Sequence, residues 1–173
     1  MVSGVAESCP RCGERRIGPF CEQCGPSHAT SPTSADAEPV APSLWCAVIA
    51  PDRDYFDAGG ADAQRFTFPA GSPARQVTLT GTSVRIGRRS DSRKTTPEID
   101  LTDPPSDPGV SREHARLLAQ PDGGWALVDD GSTNGTYLNG SAQRIRRHQQ
   151  ITLTDGDRVQ LGVWTTITLR RGP

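Results

Sequence analysis

From Leu44 to the end of the chain, short segments with alternating apolar and polar residues follow one another, separated by turn residues. Val159-Gln160-Leu161 and Thr166-Ile167-Thr168-Leu169 alternate in this way, and Asp155-Gly156-Asp157 is a tight turn between two such segments. No helical period persists in this part of the chain. The pattern therefore predicts an all-β fold, an antiparallel β-sandwich of about eleven short strands.

The predicted strands have a spacing of about ten residues, as is usual for sandwiches. They are residues 44–50, 65–68, 75–80, 83–87, 98–101, 115–120, 125–129, 136–138, 150–153, 158–161 and 165–170. Residues 52–64, which contain Gly59-Gly60, are expected to form a longer hairpin connection. Trp125 and Trp164 are predicted to pack in the core or at its edge, and Cys46 to act as a small buried hydrophobic residue.

The first 43 residues differ in composition from the rest of the chain. Between Gly25 and Ser43 the sequence consists mostly of Pro, Ser, Ala, Thr and acidic residues without an aromatic residue, which is too little apolar surface to offset the entropy of ordering. We therefore expect a small head at 1–26, a flexible linker at 27–43 and the sandwich domain at 44–173. The net charge of −1 is not that of a chain that binds polyanions through bulk charge.

Two Cys-x-x-Cys-Gly motifs in the head contain Cys9 with Cys12 and Cys21 with Cys24, and eight residues separate the two motifs. Each motif lets two thiolates converge on one cation, and the Gly that follows permits a left-handed turn. The four thiolates would complete a tetrahedral site, so we expect one structural Zn²⁺ and a zinc ribbon similar to those of many prokaryotic proteins. Two disulfides are the alternative, which reducing surroundings would disfavour.

No apolar stretch of the sequence approaches the length that spans a bilayer, and residues 1–26 lack the charged and then apolar pattern of a secretory signal. These observations lead us to expect a cytoplasmic protein. The expected absence of disulfides in the head depends on that location, because cytoplasmic thiols are kept reduced.

Three polar segments in the sandwich domain lie at the ends of predicted strands. Gly87-Arg88 ends one strand, Ser111-Arg112-Glu113-His114 opens another, and residues 129–140 connect two more. The third segment, which includes Ser132-Thr133-Asn134-Gly135-Thr136, is dense in turn residues and hydrogen-bonding side chains. Since no nucleophile, base and acid are arranged together for catalysis, the three segments predict a binding site rather than an enzyme.

The order Gly-Arg, Ser-x-x-His and Ser-Thr-Asn-Gly-Thr-x-x-Asn-Gly resembles that of a forkhead-associated (FHA) domain of bacterial type, and the resemblance covers most of residues 75–170. FHA domains read phosphothreonine peptides. The resemblance implies that Arg88 and Ser111 are the main phosphate ligands, that Arg112 adds a second cation, and that Thr133 and Asn134 complete the phosphate site and hold the peptide backbone. It also implies supporting roles for Gly87, His114, Gly135, Asn139 and Gly140.

These residue types suit a phosphate ligand. A guanidinium group offers a forked, permanently charged donor for two phosphate oxygens, and each charge-assisted hydrogen bond contributes roughly 1.5–3 kcal/mol before desolvation is subtracted. A Ser hydroxyl adds a neutral donor. An Asn amide carries two donors and an acceptor, so that it can pair with both the C=O and the N–H of a peptide.

The leading hypothesis is a non-enzymatic adaptor in Ser/Thr kinase signalling, which binds a threonine-phosphorylated kinase or kinase substrate and uses the zinc ribbon for a second interaction. The alternative is a nucleic-acid-binding or transcription-associated protein that acts through the ribbon, although residues 1–43 contain three basic and five acidic residues. A third hypothesis is self-recognition, in which a phosphorylated Thr30 or Thr33 of the linker binds the site. Its alternative is a passive spacer.

Overall fold

The computed structural model describes residues 44–59, 63 and 65–172, together with the backbone of four two-residue strands near the N-terminus. These strands are β1 (Glu7–Ser8), β2 (Arg15–Arg16), β3 (Phe20–Cys21) and β4 (Gly25–Pro26). Strand β1 pairs with β2 and β3 with β4, both antiparallel. The chain divides into two compact units, Met1–Val40 and Ala41–Pro173. The expected zinc site depends on cysteine side chains that lie outside the described residues, and the limits 26 and 43 stay predictions.

The described part of the second unit contains ten strands and one short helix. They are β5 (Trp45–Pro51), α1 (Arg53–Asp57), β6 (Arg75–Thr78), β7 (Ser83–Gly87), β8 (Ile99–Asp100), β9 (Ala115–Ala119), β10 (Trp125–Asp129), β11 (Thr136–Leu138), β12 (Ile151–Leu153), β13 (Arg158–Leu161) and β14 (Thr165–Arg171). Each of the ten strands overlaps a predicted one. The prediction of an all-β fold is confirmed.

Two local predictions between β5 and β6 are wrong. Residues 65–68 form no strand, because the aromatic rings of this segment pack on a small second core instead of pairing with a neighbouring strand: the Phe56 and Phe68 ring centroids are 5.4 Å apart, and Phe66 lies edge-on to Trp164. The expected hairpin connection at 52–64 begins with helix α1. Asp52 caps this helix by accepting a hydrogen bond from the Tyr55 N–H at 3.2 Å.

The ten strands form two five-stranded sheets, in the orders β12-β10-β9-β7-β8 and β11-β13-β14-β5-β6. All neighbouring strands are antiparallel except β7 and β8, which pair in parallel with Ile86 opposite Ile99. The prediction of a wholly antiparallel sandwich is therefore wrong at this pair. After β7 the chain makes a long excursion and returns in the same direction, as parallel pairing requires, whereas a tight turn would have reversed it.

Apolar side chains from the inner faces of both sheets fill the space between them. Ile86, Leu117 and Leu127 of one sheet and Leu161 and Ile167 of the other are almost fully buried and belong to one cluster. Trp125 and Trp164 are buried as well, as predicted. The core holds the strand ends in place and so provides a rigid support for the loops between them.

Cys46 does not lie in the core. It is half-buried and has no disulfide partner, because the alternation of β5 directs Trp45 and Ala47 inward and turns Cys46 the other way. Within the ranges given above, the structure contains no helix with the length and apolar character needed to cross a bilayer.

Candidate phosphate-binding site

The loops that follow β7 and precede β9 are in direct backbone contact. The Arg88 N–H donates a hydrogen bond to the Ser111 carbonyl oxygen at 3.2 Å. Gly87 lies against the same segment so closely that a Cβ atom at this position would come within 2.0 Å of the Arg112 carbonyl oxygen. The site therefore needs glycine at position 87, since any side chain would push the two loops apart.

A hydroxyl pair joins the second loop to the third. The Thr133 N–H donates to Ser111 Oγ at 3.1 Å, and the two side-chain oxygens are 3.4 Å apart. We call Arg88, Ser111, Arg112, Thr133 and Asn134 the cradle. The structure thus brings the first, second and third polar segments of the sequence together at one end of the sandwich.

Two arginines of the cradle have no acidic partner. Among the residues that the structure describes, neither Arg88 nor Arg112 forms an ion pair. Arg112 is exposed, whereas Arg88 is half-buried and its Nε atom is buried without a hydrogen-bond partner in the described part of the chain. A buried donor that lacks a partner is costly unless a ligand supplies one, so the cradle suits an anion.

Asn134 has a structural contact that the sequence did not predict. Its Nδ2 donates to the Gly109 carbonyl oxygen at 2.8 Å, and the Tyr137 hydroxyl donates to the Asn134 carbonyl oxygen at 3.3 Å. One amide hydrogen therefore holds the loop before Ser111. The second amide hydrogen and Oδ1 are the groups that can pair with a ligand.

His114 connects the second and third loops from beneath the cradle. It is fully buried, its Nδ1 accepts a hydrogen bond from the Ser111 N–H at 3.0 Å, and its Nε2 lies 3.2 Å from the Gly135 carbonyl oxygen. Since a carbonyl oxygen can only accept, Nε2 carries the proton and the ring is neutral. Burial lowers the pKa of His114 below its usual value, more than the hydrogen bond with Gly135 raises it.

Asp129 organises the third loop, and the sequence analysis did not assign it this role. Its side chain accepts hydrogen bonds from the N–H groups of Gly131 and Ser132 and from the hydroxyls of Ser132 and Thr136, at 2.6–2.9 Å. Burial raises the pKa of this carboxyl group, but the hydrogen bonds from Ser132, Thr136 and Gly131 outweigh that effect and lower it. The only local signal is an acid followed by hydroxyl residues three and seven positions later.

Asp107 organises the second loop in a similar way. The side chain is fully buried and accepts hydrogen bonds from the Gly109 N–H at 2.9 Å, from three successive N–H groups at 163–165 and from the Thr165 hydroxyl at 2.7 Å. Asp107 thus fixes Gly109, whose carbonyl in turn receives the Asn134 amide. This contact explains how the long loop after β8 reaches the cradle in a defined conformation.

Of the predicted supporting residues, Gly135 lies in the third loop with a left-handed φ of 87°, while Asn139 and Gly140 lie elsewhere. Asn139 Nδ2 donates to Asp157 Oδ1 at 2.8 Å, and the Gly140 N–H donates to Gln160 Oε1 at 2.7 Å. These two residues shape the turn after β11 and join it to β13. Within the described residues, no group of three or more His, Cys, Asp or Glu is placed to hold a metal ion.

Residues 84–162 match the model of the FHA domain family. A segment of 87 residues is 34% identical to an FHA domain-containing protein of Arabidopsis thaliana, over 50% of this chain and 20% of that protein. A segment of 64 residues is 42% identical to the oxoglutarate dehydrogenase inhibitor of Corynebacterium diphtheriae, over 37% of this chain and 40% of that protein. The chain thus spans less than half the length of either curated relative.

Solved structures show the same architecture. The solution structure of the FHA domain of an Arabidopsis thaliana protein superposes with a TM-score of 0.52 at 24% sequence identity. The superposition covers 76% of this chain and 87% of that one. The two chains share a fold.

Proposed function

We propose that residues 84–162, which match the model of the FHA domain family, bind phosphothreonine peptides as FHA domains do in signalling, and that the protein is a non-enzymatic adaptor for threonine-phosphorylated proteins. The proposed partner is a Ser/Thr kinase or one of its substrates, and the proposed location is the cytoplasm. In this proposal Arg88 and Ser111 bind the phosphate, Arg112 adds charge, and Thr133 and Asn134 hold the peptide.

The observation that carries this proposal is that Arg88, which forms no ion pair among the described residues, has its backbone joined to that of Ser111, whose hydroxyl is in turn joined to Thr133. A phosphate dianion would accept from both kinds of donor, and it would supply the missing partner of the buried Nε. The unphosphorylated threonine has no charge with which to compensate the cation. Recognition should therefore depend on the phosphate rather than on the surrounding peptide alone.

The test uses the full chain and three peptides of identical sequence, which carry phosphothreonine, phosphoserine or unmodified threonine. We expect micromolar binding of the phosphothreonine peptide, about −8 kcal/mol, and negligible binding of the unmodified one. Fluorescence anisotropy measures the three affinities, and a phosphopeptide array then gives the sequence preference. Equal affinity for the phosphorylated and unmodified peptides would contradict the proposal.

The head is proposed to bind one Zn²⁺ through Cys9, Cys12, Cys21 and Cys24 and to form a second interaction surface. Support comes from the donor set alone: four thiolates in two paired motifs match the preference of Zn²⁺ for a closed tetrahedral sulfur site. Elemental analysis of the purified protein should give one zinc per chain, and Cys12→Ser should lower that content. A metal-free protein with two intact disulfides would contradict this assignment.

The linker offers a candidate ligand for the same domain. Thr33 is followed three positions later by Asp36, and Thr30 lies close by. We propose that phosphorylation of Thr30 or Thr33 converts the linker into a competitor of external partners. A synthetic peptide of residues 27–43 phosphorylated at Thr33 should displace a bound phosphopeptide, whereas the unmodified peptide should not; failure of the phosphorylated form would leave the linker as a spacer.

A further inference from the structure

A cavity of the second unit includes Arg112, which also belongs to the cradle. This cavity has a volume of about 510 Å³ and is also lined by Arg85, Arg116 and His148. Its volume falls within the range of roughly 300–1,000 Å³ that is typical of ligand sites. Arg112 directly follows Ser111 of the cradle in the chain, so the cavity and the cradle are neighbours.

Three guanidinium groups of this cavity have hydrogen-bond donors to spare. Arg85 uses Nε and Nη2 for Glu98 and the Thr96 carbonyl, which leaves Nη1 unused in the described part of the chain. Among the described residues, Arg116 forms one ion pair, from Nη2 to Asp130 Oδ1 at 3.3 Å. Arg112 has no ion-pair partner within those residues. A guanidinium group has five donors, so all three can bind a further acceptor.

The acids around the cavity do not cancel its positive charge. The two acids that line it are each next to an arginine, Glu113 at 3.5 Å from Arg93 and Asp130 at 3.3 Å from Arg116. Glu98 lies outside the lining and pairs with Arg85. Among the described residues, the positive charge of Arg112 is therefore the one that no acid neutralises. An anionic group that enters the cavity would neutralise it.

We propose that this cavity binds a second anionic side chain, a phosphorylated residue or a carboxylate, from the same peptide whose phosphothreonine occupies the cradle. The inference rests on the proposed function. An extended peptide spans roughly 3.3–3.6 Å per residue, so the second anion lies within a few residues of the phosphothreonine. The partner would then carry a pair of negative charges at a fixed spacing.

The experiment uses the full chain and a phosphothreonine peptide with neutral flanks. A single glutamate, or a second phosphothreonine, is placed in turn at each flanking position on both sides. We expect one position, or two adjacent ones, to raise the affinity by about tenfold or more, since the second anion adds a charge-assisted hydrogen bond. Comparison of the two substituents shows whether the cavity prefers a phosphate or a carboxylate.

The diagnostic variant is Arg116→Gln, because Arg116 contacts the cavity but is not part of the cradle. It should remove the gain from the second anion and leave the affinity for the singly charged peptide unchanged. The matched control is Arg170→Gln, an exposed arginine on β14 in the other sheet, which makes the same change in net charge. This control should keep the gain, and thermal melting confirms that both variants are folded.

Three outcomes decide between the possibilities. No gain at any position, with intact binding of the singly phosphorylated peptide, overturns the second site and leaves the proposed function standing. A gain that survives Arg116→Gln, or that falls equally in both variants, also overturns it, because the effect would then come from general charge attraction. If the phosphorylated peptide without a second anion fails to bind, the proposed function itself fails.

Discussion

Acidic side chains have different partners in two regions of the sandwich. Beneath the cradle, Asp107 and Asp129 are buried and accept hydrogen bonds from backbone N–H groups and hydroxyls. Around β7 and β8, Glu98 and Asp103 are largely exposed and pair with the arginines Arg85 and Arg89. In one region the acids order loops, and in the other they neutralise surface charge.

The difference is clearest in two adjacent arginines. Arg89 Nη2 lies 2.6 Å from Asp103 Oδ1, whereas Arg88 has no acidic partner among the residues described. Asp107 and Asp129 are already occupied by N–H and hydroxyl groups, so they order the backbone without binding the Arg88 guanidinium. This arrangement suits a binding site for an anion, since the charge of an unpaired arginine is not already neutralised by an acid.

The largest expected effect comes from replacing each of these two arginines in turn. Arg88→Gln should lower the affinity for a phosphothreonine peptide by at least ~100-fold, because it removes the charge and the forked donor. Arg89→Gln removes the same charge from the next residue and should change the affinity by less than about threefold. Isothermal titration calorimetry measures both. Similar losses in the two variants would show that overall charge, rather than the free guanidinium, determines binding.

A second comparison concerns the acids. Asp107→Ala leaves several buried N–H groups and a hydroxyl without an acceptor and should lower the free energy of unfolding by about 3 kcal/mol or more. Asp103→Ala affects a side chain that is 68% exposed and should change stability by less than about 0.5 kcal/mol. Urea unfolding measures both values. If Asp107→Ala were as stable as the wild type, the buried acid would not be ordering the loop.

Ser111→Ala tests the hydroxyl pair without altering any charge. It should lower the affinity for a phosphothreonine peptide by about tenfold, because a donor to the phosphate and the acceptor of the Thr133 N–H are both removed. Ser106→Ala, at an exposed position of the same loop, is the matched control and should bind like the wild type. An unchanged affinity of Ser111→Ala would exclude the hydroxyl from the site.

The smallest effect is a dependence of stability on pH. Because burial lowers the pKa of His114 from 6.5, the unfolded chain binds more protons than the folded one between 6.5 and the lowered value. The stability due to neutral His114 is therefore complete above 6.5 and falls as the pH decreases through that window, by at most about 1.4 kcal/mol per pH unit. Urea unfolding over a pH series measures the slope, which should be absent in His114→Gln.

The exposed acids should respond at lower pH. Hydrogen bonds from Arg85 lower the pKa of Glu98 to about 2, so its contribution is complete above the usual value of 4.5 and is lost only as the pH falls from there towards 2. The loss of stability due to His114 begins below pH 6.5, whereas the loss due to Glu98 begins below pH 4.5. If the free energy of unfolding of the wild type stayed constant from pH 6.5 down to pH 4.5, His114 could be protonated without disturbing the loops.

Much of the fold was predictable because its signals are local. Short runs of apolar or alternating residues between turn signals identified all ten strands of the described sandwich. The parallel pairing of β7 and β8 was not predictable, because it depends on the path of the intervening loop. Residues 65–68 alternate like a strand, but Phe66 and Phe68 pack on aromatic neighbours that only the folded chain brings near.

The candidate site likewise contains residues that the sequence predicted and residues that it did not. Arg88, Ser111 and Thr133 stand in a recognisable order, and the structure places them in neighbouring loops. Asp107 gave no comparable signal, since four of its five donor groups lie 56–58 residues later in the chain. The contact between Asn134 and Gly109 is likewise long-range. Sequence motifs therefore do not show the long-range contacts that position the recognised residues.

The close packing of Gly87 against the Arg112 carbonyl makes the width of the candidate phosphate pocket a property of the main chain. No change of side chain at position 87 can widen or narrow that pocket in small steps, because even a methyl group would collide with a peptide unit. Engineering of new peptide preferences should therefore leave this glycine in place and vary exposed positions outside the cradle.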